Sequence, residues 1–339
     1  GGARIEMHAA ATALHYGQSC FEGLKAFATY SPHAEDSVCV KLFRARASAA
    51  RLRRSAQRLC MPPVPTHIFE RACITAVQQN LAFVPPPNAT AFKANAALYL
   101  RPLLLGTGAR IGVAPSLEYK LIILATPVGA YYDNVSSSRQ DDSGARAVLE
   151  TSFARAARGG LGAVKTGANY AADLLPSERN RARGLPLTLY ADACTGSLVE
   201  EFSTSNLVAI KYANAVKDSV TEIMKRATFV TPNSDNVLKS ITNDAMQKLA
   251  KRAGLKVENR EIRLNELRSF DEVGAVGTAV VVTALKSLQL GSRTQDTLRF
   301  NATNAVVLSA LKNELIAIQR GQADDEFGWT TCCCLHPHA

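Results

Sequence analysis

The stretch Gly159-Gly-Leu-Gly-Ala-Val-Lys165-Thr-Gly-Ala-Asn-Tyr170 surrounds one lysine with small residues. Small neighbours leave room for a bulky ligand to approach the lysine ammonium closely. A lysine in such a setting can be desolvated and can act as a nucleophile toward an aldehyde. Because a lysine in a glycine-rich loop is also commonly a solvated surface charge, the segment indicates a site only together with partner residues elsewhere in the chain.

An aldehyde cofactor bound to a lysine suggests pyridoxal phosphate, which needs a carboxylate for its pyridine nitrogen, an anion site for its phosphate and donors for the substrate carboxylate. Glu200 and Glu201 are candidates for the carboxylate. They are adjacent in a predicted strand at 198–201, so only one of them is expected to face inward.

Two turns are candidates for the anion sites. Ser240-Ile-Thr-Asn243 opens a predicted helix that ends at Ala253, and the first turn of a helix offers unpaired N–H groups and a positive dipole end. Thr242 is alternatively the N-cap of this helix, and both roles are compatible. The turn Val276-Gly-Thr-Ala279 presents backbone N–H groups in the same way, because Gly277 allows close approach.

The composition favours a globular enzyme of two domains. The chain has 339 residues, 47% of them apolar, with 39 Lys and Arg against 29 Asp and Glu for a net charge of +10. This charge attracts anions, but the arginines at 44–58 lack the interleaved aromatics of a nucleic-acid surface. No apolar run approaches the roughly 20 residues of a membrane span. We therefore expect small-molecule substrates, no nucleic acid and no membrane insertion.

The eight cysteines include no CxxC pair, which argues against a zinc site or a dithiol redox motif. We expect no metal, reduced thiols and an intracellular protein. The compartment would be the cytoplasm, or the mitochondrial matrix or plastid stroma if a transit peptide precedes Gly1. The tail 330–339 contains Cys332–Cys334, His336 and His338, for which a metal-binding tract is an alternative to the disorder that we expect.

Apolar periodicity predicts the secondary structure and the domain boundary. Helical spacing predicts helices from Ala49 to Pro62 and from Phe69 to Pro85, and strands alternate with helices in the first half. Strands are predicted at 38–43, 97–101, 121–125, 187–191, 198–201, 207–211 and 279–283. The polar, serine-rich run at 133–144 is the predicted linker. It separates a small α/β domain at 1–132 from a large domain at 145–329.

Six stretches resemble, in order, the branched-chain aminotransferases of the type IV pyridoxal-phosphate fold. The resemblance extends from about Ile5 to Trp329. The stretches are Leu14-His-Tyr-Gly-Gln-Ser-Cys-Phe-Glu-Gly-Leu-Lys-Ala-Phe27, Tyr99-Leu-Arg-Pro-Leu-Leu-Leu-Gly-Thr107, Thr126-Pro-Val-Gly-Ala-Tyr-Tyr132, Gly159 to Tyr170, Val199-Glu-Glu-Phe-Ser-Thr-Ser-Asn206 and Gly277-Thr-Ala-Val-Val281. The resemblance implies an α/β fold with a small N-terminal domain, a larger C-terminal domain with a pseudo-barrel sheet, and the cofactor at the domain interface.

The resemblance also implies roles for individual residues. Lys165 would be the Schiff-base lysine and proton shuttle, and Glu201 the partner of the pyridine nitrogen. The other cofactor-binding residues would be Arg51, Ile241, Thr242 and Thr278 around the phosphate and Tyr170 at the phenolic oxygen. The substrate-binding residues would be Thr204 and Ala279 at the α-carboxylate and Tyr16, Phe21, Tyr99 and Arg101 around the side chain, where Arg101 binds the γ-carboxylate of glutamate. Ile111 and Val113 would belong to a loop that enters the neighbouring subunit of a homodimer.

The chain departs from the family pattern at Ser240 and Asn243, where Gly and Arg are usual, and at Ala168 and Ala45, where Gly and Pro are usual. It also lacks the usual N-terminal strand region of the small domain. These changes are expected to affect stability and phosphate affinity more than the chemical step.

The predicted reaction is transamination of leucine, isoleucine and valine with 2-oxoglutarate, as in branched-chain amino-acid biosynthesis. The alternatives are a D-amino-acid aminotransferase, an aminodeoxychorismate lyase, and a non-catalytic dimer of the same fold.

Overall fold

The computed structural model describes residues 4–30, 38–87, 96–129, 144–213, 220–279, 281–291 and 295–333. The strands are β1 (Ser19–Phe21), β2 (Leu24–Tyr30), β3 (Val38–Phe43), β4 (Ala97–Gly106), β5 (Tyr119–Val128), β6 (Ala145–Glu150), β7 (Leu187–Ala191), β8 (Val199–Phe202), β9 (Asn206–Lys211), β10 (Thr228–Pro232), β11 (Lys256–Arg260), β12 (Glu272–Gly277), β13 (Val281–Leu290), β14 (Thr297–Arg299) and β15 (Thr330–Cys332). The helices are α1 (Thr12–Tyr16), α2 (Ala45–Arg58), α3 (Thr66–Gln79), α4 (Gly167–Ala171), α5 (Leu174–Ala182), α6 (Val220–Arg226), α7 (Ile241–Arg252) and α8 (Val306–Gln319).

The chain divides into two compact units that are not continuous in sequence. The first comprises residues 1–129, 164–168 and 319–339, and the second comprises residues 130–163 and 169–318. This division differs from the continuous domains drawn from the sequence, because 164–168 and the chain after 318 group with the small unit. The predicted linker at 133–144 lies outside the described residues, apart from Gly144.

The first unit contains an antiparallel sheet with the strand order β1, β4, β2, β3, β15, and β5 also pairs with β4. α2 buries Ala49, Leu52 and Ala56 in the core of this unit, so the predicted apolar face is confirmed. The helix begins at Ala45, earlier than predicted. Likewise α3, predicted from Phe69 onward, begins at Thr66 and buries Phe69 in the same core.

The expected disorder of the tail is wrong for residues 330–333. β15 pairs antiparallel with β3, with Cys332 opposite Lys41, and Cys333 is fully buried in the core of the first unit. Trp329, just before β15, contacts Phe43 edge to face. Backbone pairing and apolar burial together order this segment. Neither interaction can be predicted from a short cysteine-rich sequence alone. His336 and His338 lie outside the described residues.

The second unit contains a nine-stranded sheet with the order β11, β10, β9, β12, β13, β6, β7, β8, and β14 pairs with β13. β8 also pairs with β9 through Glu201 and Asn206, so six strands from β9 to β8 close into a ring. Buried aliphatic and aromatic side chains, among them Phe202, Leu207 and Leu285, fill its core. In the part of the chain that the structure describes, no helix combines the length and the apolar character needed to cross a membrane.

Candidate active site

Lys165 belongs to the first unit, where its peptide is fixed on both sides. Its backbone N–H donates to Ser55 Oγ at 3.1 Å, and its carbonyl accepts from the N–H of Phe21 at 2.9 Å. The hydroxyl of Thr166 donates to the carbonyl of Ser19 at 2.8 Å. The lysine segment is therefore attached to both β1 and α2, which fixes where the amine lies.

The side chain of Lys165 is half-buried, and its Nζ lies 4.7 Å from the ring centroid of Phe21. Burial, and then the positive charge of Arg51, lower the pKa of Lys165 from 10.5 to about 8, while Glu22 opposes the shift. A lysine with this pKa is partly neutral near physiological pH, and only the neutral amine is a nucleophile. Partial burial of this kind is what a nucleophilic lysine needs, and the assignment of Lys165 stays a prediction.

Arg51 forms a buried bidentate ion pair with Glu22. Its Nε donates to Oε1 at 2.7 Å and its Nη2 donates to Oε2 at 2.8 Å. Two parallel charge-assisted bonds fix the orientation of the guanidinium. Sequence reasoning missed Glu22, although it lies in the Phe-Glu-Gly stretch, because a carboxylate in a motif does not reveal which arginine it binds.

Phe21, Tyr99 and Arg101 form one group in the first unit. The Arg101 guanidinium carbon lies 4.6 Å from the Phe21 ring centroid and 5.3 Å from that of Tyr99, within the range of cation–π attraction. Nε and Nη2 of Arg101 both donate to the Tyr99 hydroxyl, at 3.2 and 3.0 Å. A Cβ at Gly23 would overlap this hydroxyl, so the glycine makes room for the tyrosine.

Tyr16, Ile111 and Val113 lie at the surface of the first unit. The Tyr16 hydroxyl donates to the carbonyl of Ile111, which joins the two segments. Val113 is 87% exposed and Ile111 62% exposed. Leu117, in the same loop region, is 78% exposed. These segments therefore present a set of exposed apolar side chains.

Glu201 is buried in the second unit and is held at both carboxylate oxygens. Oε1 accepts from the N–H of Leu238 at 3.0 Å and lies 2.9 Å from Arg155 Nη2. Oε2 accepts from Asn206 Nδ2 at 2.6 Å. Asn206 in turn accepts from Asn243 Nδ2 at 3.2 Å. The carboxylate thus has a fixed position and a positive counter-charge. Arg155 carried no spacing signal in the sequence.

Glu200 is also buried, so the expectation that only one of the two glutamates faces inward is wrong. Both faces of β8 are covered, and the two carboxylates have different partners. Oε1 of Glu200 accepts from Asn236 Nδ2 at 3.0 Å and from Ser234 Oγ at 3.3 Å. Burial raises the pKa of Glu200.

The departures at Ser240 and Asn243 are accommodated at the start of α7. Ser240 is the N-cap, since its Oγ accepts from the N–H of Asn243 at 3.2 Å; the alternative that Thr242 caps the helix is wrong. Asn243 also donates to Thr231 Oγ1 at 2.8 Å. The N–H groups of Ile241 and Thr242 lie in the first turn, where helix geometry provides no intrahelical acceptor. This turn can receive an anion.

Thr204, Thr278 and Ala279 lie in two neighbouring turns of the second unit. A Cβ at Gly277 would lie 3.5 Å from Ser205 Cβ and 3.6 Å from the carbonyl oxygen of Thr204. Thr204 is exposed, and Thr278 and Ala279 are half-buried. A hydroxyl and turn N–H groups near one another suit a carboxylate ligand.

Tyr170 lies in α4 and is half-buried. Ala168, the third departure near the lysine, is exposed in the same short helix.

Comparison with known proteins identifies the family of the chain. The family model described as amino-transferase class IV matches residues 20–288, and the chain belongs to this family. The chain is 35% identical to the branched-chain-amino-acid aminotransferase of Helicobacter pylori over 326 residues, 96% of this chain and 86% of that protein. It is also 35% identical to aminotransferase atnJ of Emericella nidulans over 327 residues, again 96% and 86%. The solved structure of the Escherichia coli branched-chain amino acid aminotransferase matches with a TM-score of 0.72 and 24% identity, covering 97% of this chain and 94% of that one, and so has the same fold.

The protein is therefore an aminotransferase, and the predicted α/β fold of this class is confirmed. Pyridoxal 5'-phosphate is the cofactor of the family.

Proposed function

We propose that this enzyme transfers the amino group of leucine, isoleucine and valine to 2-oxoglutarate, giving branched 2-oxo acids and glutamate. The observation that carries the proposal is the group around Lys165 in the first unit. A lysine with a pKa of about 8 lies against Phe21, and the same ring contacts the guanidinium of Arg101. Aromatic surface suits a branched aliphatic side chain, and a guanidinium suits a second carboxylate.

The donors present suit pyridoxal phosphate. Lys165 would carry it covalently, the first-turn N–H groups of Ile241 and Thr242 would bind its phosphate, and Glu201 would pair with its pyridine nitrogen. The fit is supported by the buried, fully oriented carboxylate of Glu201. When bound, the cofactor supplies an electron sink for the carbon that loses its proton.

Further contacts are proposed from the family resemblance. Arg51 and Thr278 would complete the phosphate site, and Tyr170 would donate to the phenolic oxygen of the cofactor. Support for Arg51 comes from its bidentate pair with Glu22, which orients the guanidinium before any ligand binds.

The remaining roles, proton transfer and substrate binding, are assigned to residues of the chain. The neutral amine of Lys165 would take the proton from the substrate Cα and deliver it to the cofactor carbon C4′, and in the second half-reaction it would carry a proton from C4′ to Cα of the 2-oxo acid skeleton. Thr204 and the backbone of Ala279 hold the α-carboxylate. Tyr99 and Arg101 receive the side chain, with Arg101 binding the distal carboxylate of glutamate or 2-oxoglutarate.

Initial rates with a panel of amino acids and 2-oxoglutarate test the proposal. Leucine, isoleucine and valine should exceed methionine, aromatic amino acids and D-alanine in kcat/KM. A preference for D-alanine would instead indicate a D-amino-acid aminotransferase. Absence of both turnover and the visible absorbance of bound cofactor would indicate a non-catalytic member of the family.

We also propose a homodimer in which the loop containing Ile111 and Val113 reaches the partner subunit. Exposed Ile111, Val113 and Leu117 support this, because burial of exposed apolar side chains favours association. Light scattering during gel filtration measures the mass directly, and a monomer would contradict the proposal.

An intracellular location, in the cytoplasm, the mitochondrial matrix or the plastid stroma, is proposed from the cysteine thiols. Imaging of the tagged protein tests the location.

A further inference from the structure

Arg155 is a buried arginine in the second unit, and its charge acts on three buried carboxylic side chains. Its Nη2 lies 2.9 Å from Glu201 Oε1, and both side chains are about 95% buried or more. Its charge also acts on Asp173 and Glu200, whose pKa values burial raises in spite of it. Among the described residues, Glu201 is the carboxylate within ion-pair distance of Arg155.

The guanidinium of Arg155 is held by backbone groups as well. Nη1 donates to the carbonyl of Gly162 at 3.5 Å, and Nη2 donates to the carbonyl of Asn236. A Cβ at Gly162 would overlap the same Asn236 carbonyl, so glycine is required for this close approach. Gly162, in the loop before the lysine segment, therefore lies close to the groups that hold Arg155.

Glu200 and Glu201 are adjacent, but their carboxylates have different hydrogen-bond and ion-pair partners. Glu201 receives the guanidinium on one oxygen and Asn206 on the other. Glu200 receives neutral donors on Oε1, and within the described residues its buried Oε2 has no hydrogen-bond partner. A buried carboxylate with no cation in ion-pair contact takes up a proton more readily than one paired directly with a guanidinium.

We propose that Arg155 is the positioning residue for Glu201: its guanidinium supplies the counter-charge of the Glu201 carboxylate and fixes its direction, while Glu200 receives neutral donors in the same segment. The inference rests on the proposed role of Glu201 toward the pyridine nitrogen. Arg155 touches neither substrate nor cofactor and acts through Glu201. Loss of the guanidinium should weaken cofactor binding through that carboxylate and not through the loop.

A double-mutant cycle tests the proposal, with the dissociation constant of pyridoxal 5'-phosphate for the apoprotein as the first readout and kcat as the second. The proteins are wild type, Arg155→Met, Glu201→Gln and the double variant. Arg155→Lys tests rescue by a charge-conserving side chain. Arg158→Met, three residues along the same segment at an exposed position, is the matched control.

Arg155→Met should weaken cofactor binding by about tenfold or more, the equivalent of one lost charged hydrogen bond. The double variant should bind no more weakly than Glu201→Gln alone, since the arginine then has no carboxylate to position. Arg155→Lys should recover most of the affinity, and Arg158→Met should match wild type.

The proposal is overturned if Arg155→Met weakens binding by the same factor in both backgrounds, which would mean that it acts through the loop. It is equally overturned if Arg155→Met binds like wild type. If Glu201→Gln keeps wild-type affinity and kcat, the role of Glu201 fails first, and the inference about Arg155 falls with it. The Glu201→Gln single variant therefore separates the two failures.

Discussion

Replacing Lys165 by Met should abolish both covalent attachment of pyridoxal 5'-phosphate and turnover. In the wild-type protein the reactivity of the Lys165 amine toward the cofactor aldehyde depends on its lowered pKa, about 8 in place of 10.5. At pH 7.5 about a quarter of such amines are neutral, against about one in a thousand for an ordinary lysine. The Lys165 amine should therefore be neutral roughly two hundred times more often than a solvated lysine at that pH, and should react with the aldehyde faster for that reason.

The assay is reduction with borohydride after brief incubation of apoprotein with the cofactor, followed by peptide mapping. Labelling should fall on Lys165 and should rise with pH, with a midpoint near 8, because the neutral fraction grows as pH passes through the pKa. Lys25 is the matched control, since burial also lowers its pKa to about 8 but its side chain is only 4% exposed. Lys25→Met should leave labelling intact.

Two outcomes would refute the reasoning. A label on Lys25 or any other lysine would show that the attachment site is misassigned. A labelling midpoint near 10.5 would show that burial of Lys165 does not depress its pKa in solution. In the first case the loss of turnover in Lys165→Met, expected to exceed about a thousandfold because the general base is removed, would need another explanation.

Four further predictions concern other residues. Glu201→Gln should lower kcat about a hundredfold or more and Glu200→Gln much less, and equal losses in steady-state assays would contradict their different roles. Arg101→Met should lower kcat/KM for 2-oxoglutarate about 10 to 1,000-fold while the leucine half-reaction changes much less, as single-turnover kinetics would reveal; equal losses would make Arg101 a scaffold residue. Ser240→Ala should lower the free energy of unfolding by about 1 kcal/mol through loss of the N-cap, and Ser240→Gly by only a few tenths, so urea denaturation curves that do not separate them would exclude capping. Val113→Asp should shift the mass in light scattering from dimer to monomer, and an unchanged dimer would place the interface elsewhere.

Local patterns in the sequence were informative where short-range physics decides the structure. The apolar spacing at Ala49, Leu52 and Ala56 predicted the buried face of α2, because a helix repeats every 3.6 residues whatever surrounds it. Gly254 ends the α7 region with a φ of +88°, a conformation suited to glycine, as its position after the helix indicated.

Features that depend on residues far apart could not be predicted. The sequence predicted a disordered tail, yet β15 pairs with β3 and Cys333 is buried. The sequence also predicted that only one of Glu200 and Glu201 faces inward, as in a strand with one solvated face. In the closed ring both faces of β8 are covered, and both side chains are buried.

The sequence by itself determined the lysine loop, the order of the motifs and the class of chemistry, since these reside in contiguous residues whose spacing is covalently fixed. Only the tertiary structure decided the partners: Glu22 for Arg51 and Arg155 for Glu201. An ion pair between distant segments depends on where the chain closes and on which charges are removed from water together. That environment, not the residue type, sets the pKa of a buried amine or carboxyl.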